Sequence, residues 1–461
     1  HDALPICPEE HFTDTIKAAC GLADPNAVWG MTQAAPELVH WLLKLGVKFN
    51  MSGHDDVDLR NFGGQKKKRT AFAQSDTGKQ IMTAMIDAVR RKEASGMVER
   101  FSHHSFLTLR LCGNICCGCV IRDEYSQETV ELPGDAVIVA TGGMHGLFGN
   151  TTGSLSNTGE VTAELFRLGV PLANGEMIQY HPTTVKCGGK RMLISEAARG
   201  EGGRLFATKD GKRWYFMEEK YPELGNLMPR DITAREIWNV SHESEVFLDM
   251  TEISEEIISN KLSGLADDCM TYLHKDIRKE PVSVLPGIHY FMGGILVDEQ
   301  HRTPIQNLCA AGECCAQYHG ANRLGGNSLL GALYGGRVAA KSACEQADVV
   351  DLSCATQIDF PPASQISEIK QLNKVMQETM GVVRNENTLL NGIQTVQALT
   401  GNLPLLGMAV LKSALARKES RGAHWREDYP KSNDDDYLKT TVARFDGKQI
   451  QISFVPVPER R

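Results

Sequence analysis

This sequence of 461 residues has none of the long apolar runs that mark a membrane protein, since no stretch approaches the ~20 residues that a spanning helix needs. Its opening residues also lack the basic-then-apolar pattern of a secretory leader. Because the chain starts at His1 rather than at Met, we expect further residues upstream. These features predict a soluble, cytoplasmic protein, and the length predicts about three domains.

An excess of positive charge is missing as well. The formal net charge is −8 and the pI is near 6.0, so the composition gives no electrostatic reason to expect nucleic acid as a partner. The short basic run at residues 66–69 is better explained as a solvated loop. We therefore expect no nucleic acid among the partners.

The thirteen cysteines lack the spacing of a disulfide framework or of a paired zinc motif. Four of them cluster in LCGNICCGCV, at Cys112, Cys116, Cys117 and Cys119. The spacing is not that of a ferredoxin either, and the surrounding residues alternate and turn at Gly113-Asn114, as in a β-hairpin. The pattern favours small buried strand residues and no metal, with a metal site as the minor alternative.

The Gly-x-Gly-x-x-Gly fingerprint of a dinucleotide-binding fold is also absent. A weaker signal lies after the apolar run DAVIVAT, where Thr141, Gly142 and Gly143 follow a predicted buried strand. Small residues at such a position let the backbone approach a phosphate or an adenine ring closely. Composition alone therefore does not predict a dinucleotide cofactor.

The most informative stretch that is present runs from Met177 to Arg204, MIQYHPTTVKCGGKRMLISEAARGEGGR. Donors and acceptors of several kinds lie close together in it, namely His181, Ser195, Glu196, Arg199 and Glu201. Imidazole and hydroxyl groups can fix a carboxylate, and a glutamate between arginines can conduct a proton. The alternative is a loop with a capped helix, because Ser195 before an alanine-rich turn is also ordinary capping chemistry.

Two histidines and two arginines lie in glycine-rich segments far apart in the chain: His181, His289, Arg230 and Arg323. Such dispersal is typical of a site assembled between domains, and two donor pairs would fit a dicarboxylate. Each residue alone has another explanation, as a core histidine or a helix-capping arginine. Together they favour an anion-binding enzyme.

Hydrophobic periodicity gives a coarse outline of the rest. Residues 98–140 are predicted to form a small sheet that ends in the buried strand DAVIVAT, and FLDMTEISEEIISNKLSGLADDCMTYL is predicted to be helical. A helix starting near Ser328 would present free backbone N–H groups to an electron-rich carbonyl.

Eleven segments resemble, in order, the succinate dehydrogenase/fumarate reductase flavoprotein subunit family, which includes L-aspartate oxidase. They run from near residue 9 to about 430 and include NFGGQKKKRT, VATGG, IQYHPTT, SEAARGEGG, PRDITAREI, HYFMGGI and HGANRLGGNSL. The resemblance implies an α/β fold, with a Rossmann-like FAD-binding domain, an inserted α+β capping domain and a C-terminal helical domain. The family's N-terminal βαβ unit with the glycine fingerprint is missing from this sequence.

The same resemblance implies domain boundaries. Residues 1–174 and 286–350 would form the FAD-binding domain, and residues 175–285 the capping domain. Residues 361–425 would form the helical domain, and 426–461 a tail with a β-hairpin.

By motif, His181 and Ser195 would hold one substrate carboxylate, and His289 and Arg323 the other. Ser195 stands where the family usually has Thr, and it keeps the hydroxyl. Phe62 would pack against the substrate. The catalytic residues would be Arg230, which exchanges the proton with fumarate or succinate, and Glu196 and Arg199, which relay protons to it.

On the FAD side, Glu313 would bond a ribose hydroxyl. The N–H groups of Ser328 and Leu329 would meet the pyrimidine edge of the flavin. Glu160 stands where the family commonly has Asp, and a cofactor contact is expected there. Thr141, Gly142 and Gly143 would also contact the cofactor.

The resemblance implies interconversion of fumarate and succinate by hydride transfer at FAD N5, with electrons exchanged with an iron–sulfur subunit. The segments ESRGAH and REDYP favour such a partnered subunit. A membrane anchor or another electron carrier would then place the chain peripherally on the inner face of a membrane. Two alternatives stay open, an L-aspartate oxidase and a non-catalytic remnant without FAD.

Overall fold

The computed structural model describes residues 8–53, 56–60, 62, 65, 67–73, 76–154, 156–346, 360 and 365–461. The α-helices of this part of the chain are α1 (Pro8–Ala18), α2 (Pro25–Lys44), α3 (Thr77–Ala94), α4 (Glu160–Arg167), α5 (Glu196–Gly200), α6 (Phe216–Lys220), α7 (Arg230–Val240), α8 (Glu255–Lys261), α9 (Ser263–Asp268), α10 (Asn327–Gln346), α11 (Ile366–Thr379), α12 (Glu386–Val396), α13 (Asn402–Ala416) and α14 (Asp434–Tyr437).

The strands are short and lie mostly between helices. They are β1 (Leu59–Arg60), β2 (Thr70–Ala71), β3 (His104–Cys112), β4 (Ile115–Asp123), β5 (Thr129–Pro133), β6 (Val137–Val139), β7 (Leu172–Ala173), β8 (Ile178–Cys187), β9 (Lys190–Leu193), β10 (Arg204–Lys209), β11 (Lys212–Trp214), β12 (Val246–Asp249), β13 (Val282–Ser283), β14 (Leu285–Phe291), β15 (Gly294–Leu296), β16 (Leu308–Ala310), β17 (Cys315–Ala316), β18 (Lys439–Phe445) and β19 (Ile450–Pro456).

These strands form several small sheets. The largest has the order β17-β15-β7-β18-β19, and another has the order β11-β10-β12-β13. A three-stranded sheet, β14-β8-β9, carries two of the predicted site histidines. The C-terminal residues fold back as the antiparallel pair β18 and β19, and β18 also pairs with β7.

The hairpin predicted at Gly113-Asn114 is confirmed, because β3 and β4 pair with Cys112 opposite Ile115. Cys116 and Cys117 are buried in β4. Within the described ranges, no group of three or more His, Cys, Asp or Glu side chains could hold a metal ion.

Two predictions about secondary structure need correction. The segment FLDMTEISEEIISNKLSGLADDCMTYL begins not as a helix but as strand β12, which pairs with both β10 and β13; helix starts only at Glu255, after Ser254 caps it. In DAVIVAT only Val139 is buried, and Ile138 is 41% exposed. Among the described strands β6 pairs with β16 alone.

Three packed regions support the site. One core joins α4 to α11, α12 and α13 through residues such as Phe166, Leu372 and Leu406. A second core lies under β10 and β12, where Leu205, Leu248 and Ile237 of α7 are fully buried. A third packs β6 and β16 against β15. In the part of the chain that the structure describes, we find no helix with the length and apolarity to cross a bilayer.

Candidate active site

A single cavity of about 290 Å³ collects most of the predicted site residues. It is lined by Phe62, His181, Ser195, Glu196, Arg230, His289, Arg323, Ser328 and Leu329. These residues come from segments more than 250 positions apart in the sequence, so the dispersal noted above does produce one site. Apolar residues of α2, including Leu38 and Leu42, also line the cavity, as do Phe49, Phe72 and Leu333.

Local structure explains how the histidines meet. Strands β8 and β14 are antiparallel, with His181 opposite Gly287. The register then shifts between Ile288 and Tyr290, so His289 has no partner across the ladder. A β-bulge of this kind re-aims a side chain. The two imidazole rings consequently lie 5.2 Å apart, edge to face.

Both imidazoles are held at Nδ1. His289 Nδ1 lies 2.8 Å from Thr152 Oγ1, and His181 Nδ1 lies 3.1 Å from the carbonyl oxygen of Thr183 and 3.3 Å from Thr183 N, which can donate to it. Desolvation, the largest effect, lowers the pKa of each histidine well below 6.5, and neighbouring cations lower it further. The two rings are therefore neutral at pH 7, and each leaves Nε2 available for a ligand.

Arg230 is the first residue of α7, and Pro229 precedes it as the N-cap residue. Its Nε donates to Glu196 Oε2 at 2.9 Å, and its Nη1 donates to Gln179 Oε1 at 3.1 Å. Arg199 Nη2 lies 3.5 Å from Glu196 Oε1. All four side chains are buried, and the carboxylate lies between the two guanidinium groups. Arg199 itself does not line the cavity.

Gln179 is a site residue that the sequence analysis missed. It is fully buried, and its Nε2 donates to Asn322 Oδ1 at 3.0 Å and to the carbonyl of Arg323 at 2.8 Å. It thereby connects Arg230 to the segment that carries Arg323. The two-residue period of a strand puts Gln179 on the same face as His181, and that signal would have found it.

Arg323 is buried with its guanidinium carbon 4.5 Å from the centre of the Tyr290 ring. Burial lowers the pKa of Arg323 to about 9, and Arg230 adds to this lowering. Within the described residues the Nε of Arg323 has no hydrogen-bond partner. A buried cation in this state calls for an anionic ligand.

Ser195 both caps a helix and lines the cavity. Its Oγ accepts a hydrogen bond from Ala197 N at 3.2 Å and so caps α5, and the residue also lines the cavity. As a hydroxyl that accepts from the helix, it still has its own hydrogen to donate. The capping explanation and the ligand-binding explanation are thus compatible.

The residues predicted on the FAD side are divided between two places. Ser328 and Leu329 lie in the first turn of α10 and line the first cavity. Thr141 and Gly142 line a second cavity of about 530 Å³ with Asn157. Glu160, the exposed first residue of α4, lines neither.

Close backbone approach is real at the glycines after β6. Gly142 has φ +72°, and a Cβ there would lie 2.5 Å from Asn157 Nδ2. A Cβ on Gly143 would lie 2.7 Å from Glu313 Oε1, which accepts a hydrogen bond from Phe291 N at 3.0 Å. The tight glycine backbone and the N-terminus of α10 fit a nucleotide cofactor.

Comparison with known proteins agrees with this geometry. Residues 5–329 match the FAD binding domain model, and residues 399–460 match the model for the C-terminal part of the fumarate reductase flavoprotein. The fold and the site thus define a flavoprotein oxidoreductase that uses FAD.

The similar proteins narrow this class. The chain is 36% identical to the succinate dehydrogenase flavoprotein subunit of Bacillus subtilis (strain 168), covering 98% of this chain and 88% of the relative. It is 31% identical to the 8-methylmenaquinol:fumarate reductase flavoprotein subunit of Wolinella succinogenes, covering 98% and 82%. A structure of E. coli quinol fumarate reductase superposes with a TM-score of 0.89 at 26% identity, covering 98% and 87%. This chain belongs to the succinate dehydrogenase/fumarate reductase flavoprotein family.

The pH dependence of stability follows from six histidines whose pKa is lowered mainly by desolvation: His11, His181, His289, His301, His319 and His424. The unfolded chain takes up protons at these groups near pH 6.5 and the folded chain does not. The free energy of unfolding is therefore highest above pH 6.5 and decreases as the pH falls below it. Each histidine lowers it by up to about 1.4 kcal/mol per pH unit. We expect the unfolding temperature to drop steeply between pH 6.5 and 5, where most carboxylates stay ionised. A constant unfolding temperature across this window, measured by differential scanning fluorimetry, would contradict the expectation.

Proposed function

We propose that this chain interconverts succinate and fumarate by hydride transfer at FAD N5, with the proton exchanged at Arg230. The observation that carries the proposal is one cavity that brings the buried guanidinium groups of Arg230 and Arg323 together with two neutral imidazoles. The cation of Arg323 and the hydrogen-bond donors His181, His289 and Ser195 suit the two carboxylates of a four-carbon dicarboxylate. Arg230 is then left to exchange the proton. FAD supplies the group that accepts or donates the hydride when it is bound.

We call His181, Ser195, His289 and Arg323 the dicarboxylate clamp. In this proposal His181 and Ser195 hold one carboxylate of the substrate, and His289 and Arg323 hold the other. With Nδ1 of His181 accepting from Thr183 N and Nδ1 of His289 accepting from the Thr152 hydroxyl, each neutral imidazole carries its single N–H at Nε2 and donates it to a carboxylate. Ser195 donates its hydroxyl hydrogen. Phe62, which also lines the cavity, would pack against the carbon chain and exclude water. Holding both ends fixes the reacting carbons and draws electron density toward the carboxylates.

Proton transfer is assigned to Arg230, because its hydrogen bonds to Glu196 prepare it for exchange. A guanidinium group is a weak acid, with a pKa above about 12, so it yields a proton only to a strongly basic carbon. Glu196 accepts from Arg230 and lies near Arg199, and it therefore returns the proton along a buried path.

The electron partner in this proposal is an iron–sulfur subunit, with a membrane anchor or another electron carrier beyond it. Support comes from the relatives, which are named as subunits, and from the ESRGAH and REDYP segments. The chain would then be peripheral on the inner face of a membrane.

The cavity fits an amino-acid substrate less well. Glu196 is the only carboxylate among its described lining residues, and it already accepts hydrogen bonds from Arg230. An ammonium group would therefore find no free acidic partner, which speaks against an L-aspartate oxidase. The complete set of donors also speaks against a non-catalytic remnant.

The decisive experiment loads the purified protein with FAD and assays three reactions: succinate-dependent dye reduction, fumarate-dependent oxidation of a reduced dye, and peroxide formation from aspartate. We expect the first two and not the third. Peroxide from aspartate without fumarate turnover would favour an L-aspartate oxidase, and failure to bind FAD would favour the remnant.

A further inference from the structure

A second group of polar residues lines the same cavity and takes no part in the dicarboxylate clamp. It consists of His11 on α1, Arg69 just before β2 and Asn327 at the start of α10. All three are more than nine-tenths buried. They are joined through Asp14 and Thr15, so we call His11, Asp14, Thr15, Arg69 and Asn327 the α1–α10 network.

Hydrogen bonds fix the orientation of each member. The Thr15 hydroxyl donates to the carbonyl of His11 at 2.8 Å, so its oxygen accepts from Asn327 Nδ2 at 2.9 Å. The other end of that amide, Asn327 Oδ1, then accepts from His11 Nε2 at 2.9 Å. Nε2 is therefore protonated, and Nδ1 is a bare acceptor because desolvation lowers the pKa of His11 and keeps the ring neutral.

Three atoms of the α1–α10 network have no hydrogen-bond partner in the described structure. They are His11 Nδ1, an acceptor, and Arg69 Nε and Nη1, two donors. Arg69 uses Nη2 for an ion pair with Asp14. Buried polar atoms are nearly always paired, so atoms of both kinds on one cavity point to a ligand that offers both a donor and acceptors.

The N-terminus of α10 supplies further donors at the same place. Asn327, Ser328 and Leu329 all line the cavity, and α10 is 20 residues long, so its first-turn N–H groups favour an electron-rich partner. Strand β2 packs closely against the residue before this helix, since a Cβ on Gly326 would lie 2.9 Å from Thr70 Oγ1. Arg69 and the helix terminus thus belong to one surface.

We propose that the α1–α10 network recognises the imide edge of the flavin pyrimidine ring, beside the α10 N-terminus that the family resemblance already assigns to this ring. That edge carries one ring N–H between two carbonyl groups. His11 Nδ1 accepts from the ring N–H, and Arg69 donates to a carbonyl oxygen. The proposal rests on FAD as the cofactor of the proposed function and adds residues outside the substrate clamp. Because reduced FAD carries extra negative charge on this ring, Arg69 also favours the reduced form.

Affinity for two flavins tests the His11 assignment. FAD and FAD methylated at the imide nitrogen are each titrated into the protein and followed by flavin fluorescence. We expect the wild type to bind the methylated form about tenfold or more weakly, because His11 Nδ1 stays unpaired. The His11→Leu variant should bind both forms alike. Equal binding of both flavins to the wild type would overturn the assignment.

The reduction potential of bound FAD tests Arg69. Replacing Arg69 alone would leave the buried Asp14 carboxylate without its ion-pair partner, so the double variant Arg69→Met, Asp14→Asn is used. It should lose about tenfold in preference for reduced over oxidised FAD, which lowers a two-electron potential by about 30 mV. Asp14→Asn alone should shift the potential the opposite way. The control is Arg337→Met, which breaks an exposed ion pair with Glu37 farther along α10.

The possible results separate the two proposals. A wild type that binds no FAD contradicts both. Suppose instead that the wild type binds FAD and oxidises succinate, and that the reduction potential of bound FAD is the same in both Asp14 variants as in the wild type. This result contradicts only the role of Arg69. Malonate is a small dicarboxylate, so its affinity reports on the dicarboxylate clamp. This affinity should be unchanged in all these variants, because the clamp residues are untouched. A loss of malonate binding would show that the network supports the clamp and would overturn the imide assignment.

Discussion

Replacing Arg230 with glutamine is expected to lower succinate oxidation and fumarate reduction by roughly 10³-fold, within the range for loss of a general acid–base group. Glutamine can keep one hydrogen bond to Glu196 but has no proton that it can give to carbon. The dicarboxylate clamp of His181, Ser195, His289 and Arg323 is left in place. Malonate affinity should therefore change by no more than about threefold, less than the cost of one lost charge-assisted hydrogen bond.

Steady-state turnover in both directions and malonate titration of the bound flavin absorbance measure the two effects separately. Arg235→Gln is the matched control, because Arg235 lies on the same helix but stacks on Trp425 at 3.9 Å rather than lining the cavity. A large loss of malonate binding in Arg230→Gln would make Arg230 a third clamp residue. Retained turnover would place the proton donor elsewhere.

The site residues could be predicted because their polar side chains occur in short, recognisable sequence segments. His181, Ser195, Glu196 and Arg230 lie in short segments near glycines, and together their side chains suit an anionic ligand. The structure brings them onto one cavity, as expected. Their roles stay predictions until variants are measured.

What the sequence could not provide is long-range register. The bulge that turns His289 toward His181 depends on the pairing of β14 with β8, more than 100 residues earlier. The bond between His11 and Asn327 spans 316 positions, and no local periodicity reports it. For the same reason β12 was predicted as the start of a helix, because its partners β10 and β13 are distant in the sequence. Tertiary pairing overrides local preference in such segments.

Substituting Arg417 with methionine is expected to destabilise the protein by about 3–5 kcal/mol, the usual cost of leaving a buried ion without its partner. Arg417 has no exposed surface, and its Nε donates to Glu176 Oε1 at 2.7 Å. Its Nη1 donates to Glu419 Oε1 at 2.8 Å, and its Nη2 donates to Thr441 Oγ1 at 2.7 Å. The variant would bury two carboxylates without this cation.

Urea unfolding followed by tryptophan fluorescence measures this effect. The control Arg337→Met removes an exposed ion pair, and we expect it to cost less than about 1 kcal/mol. Similar costs for the two variants would show that the buried pairs are replaceable. Glu176 lies just before β8, the strand that carries His181. Through its hydrogen bonds to Glu176 and to the carbonyl of Lys439, Arg417 connects the end of α13 and β18 to that strand. Loss of Arg417 should therefore also weaken malonate binding, although Arg417 does not line the cavity.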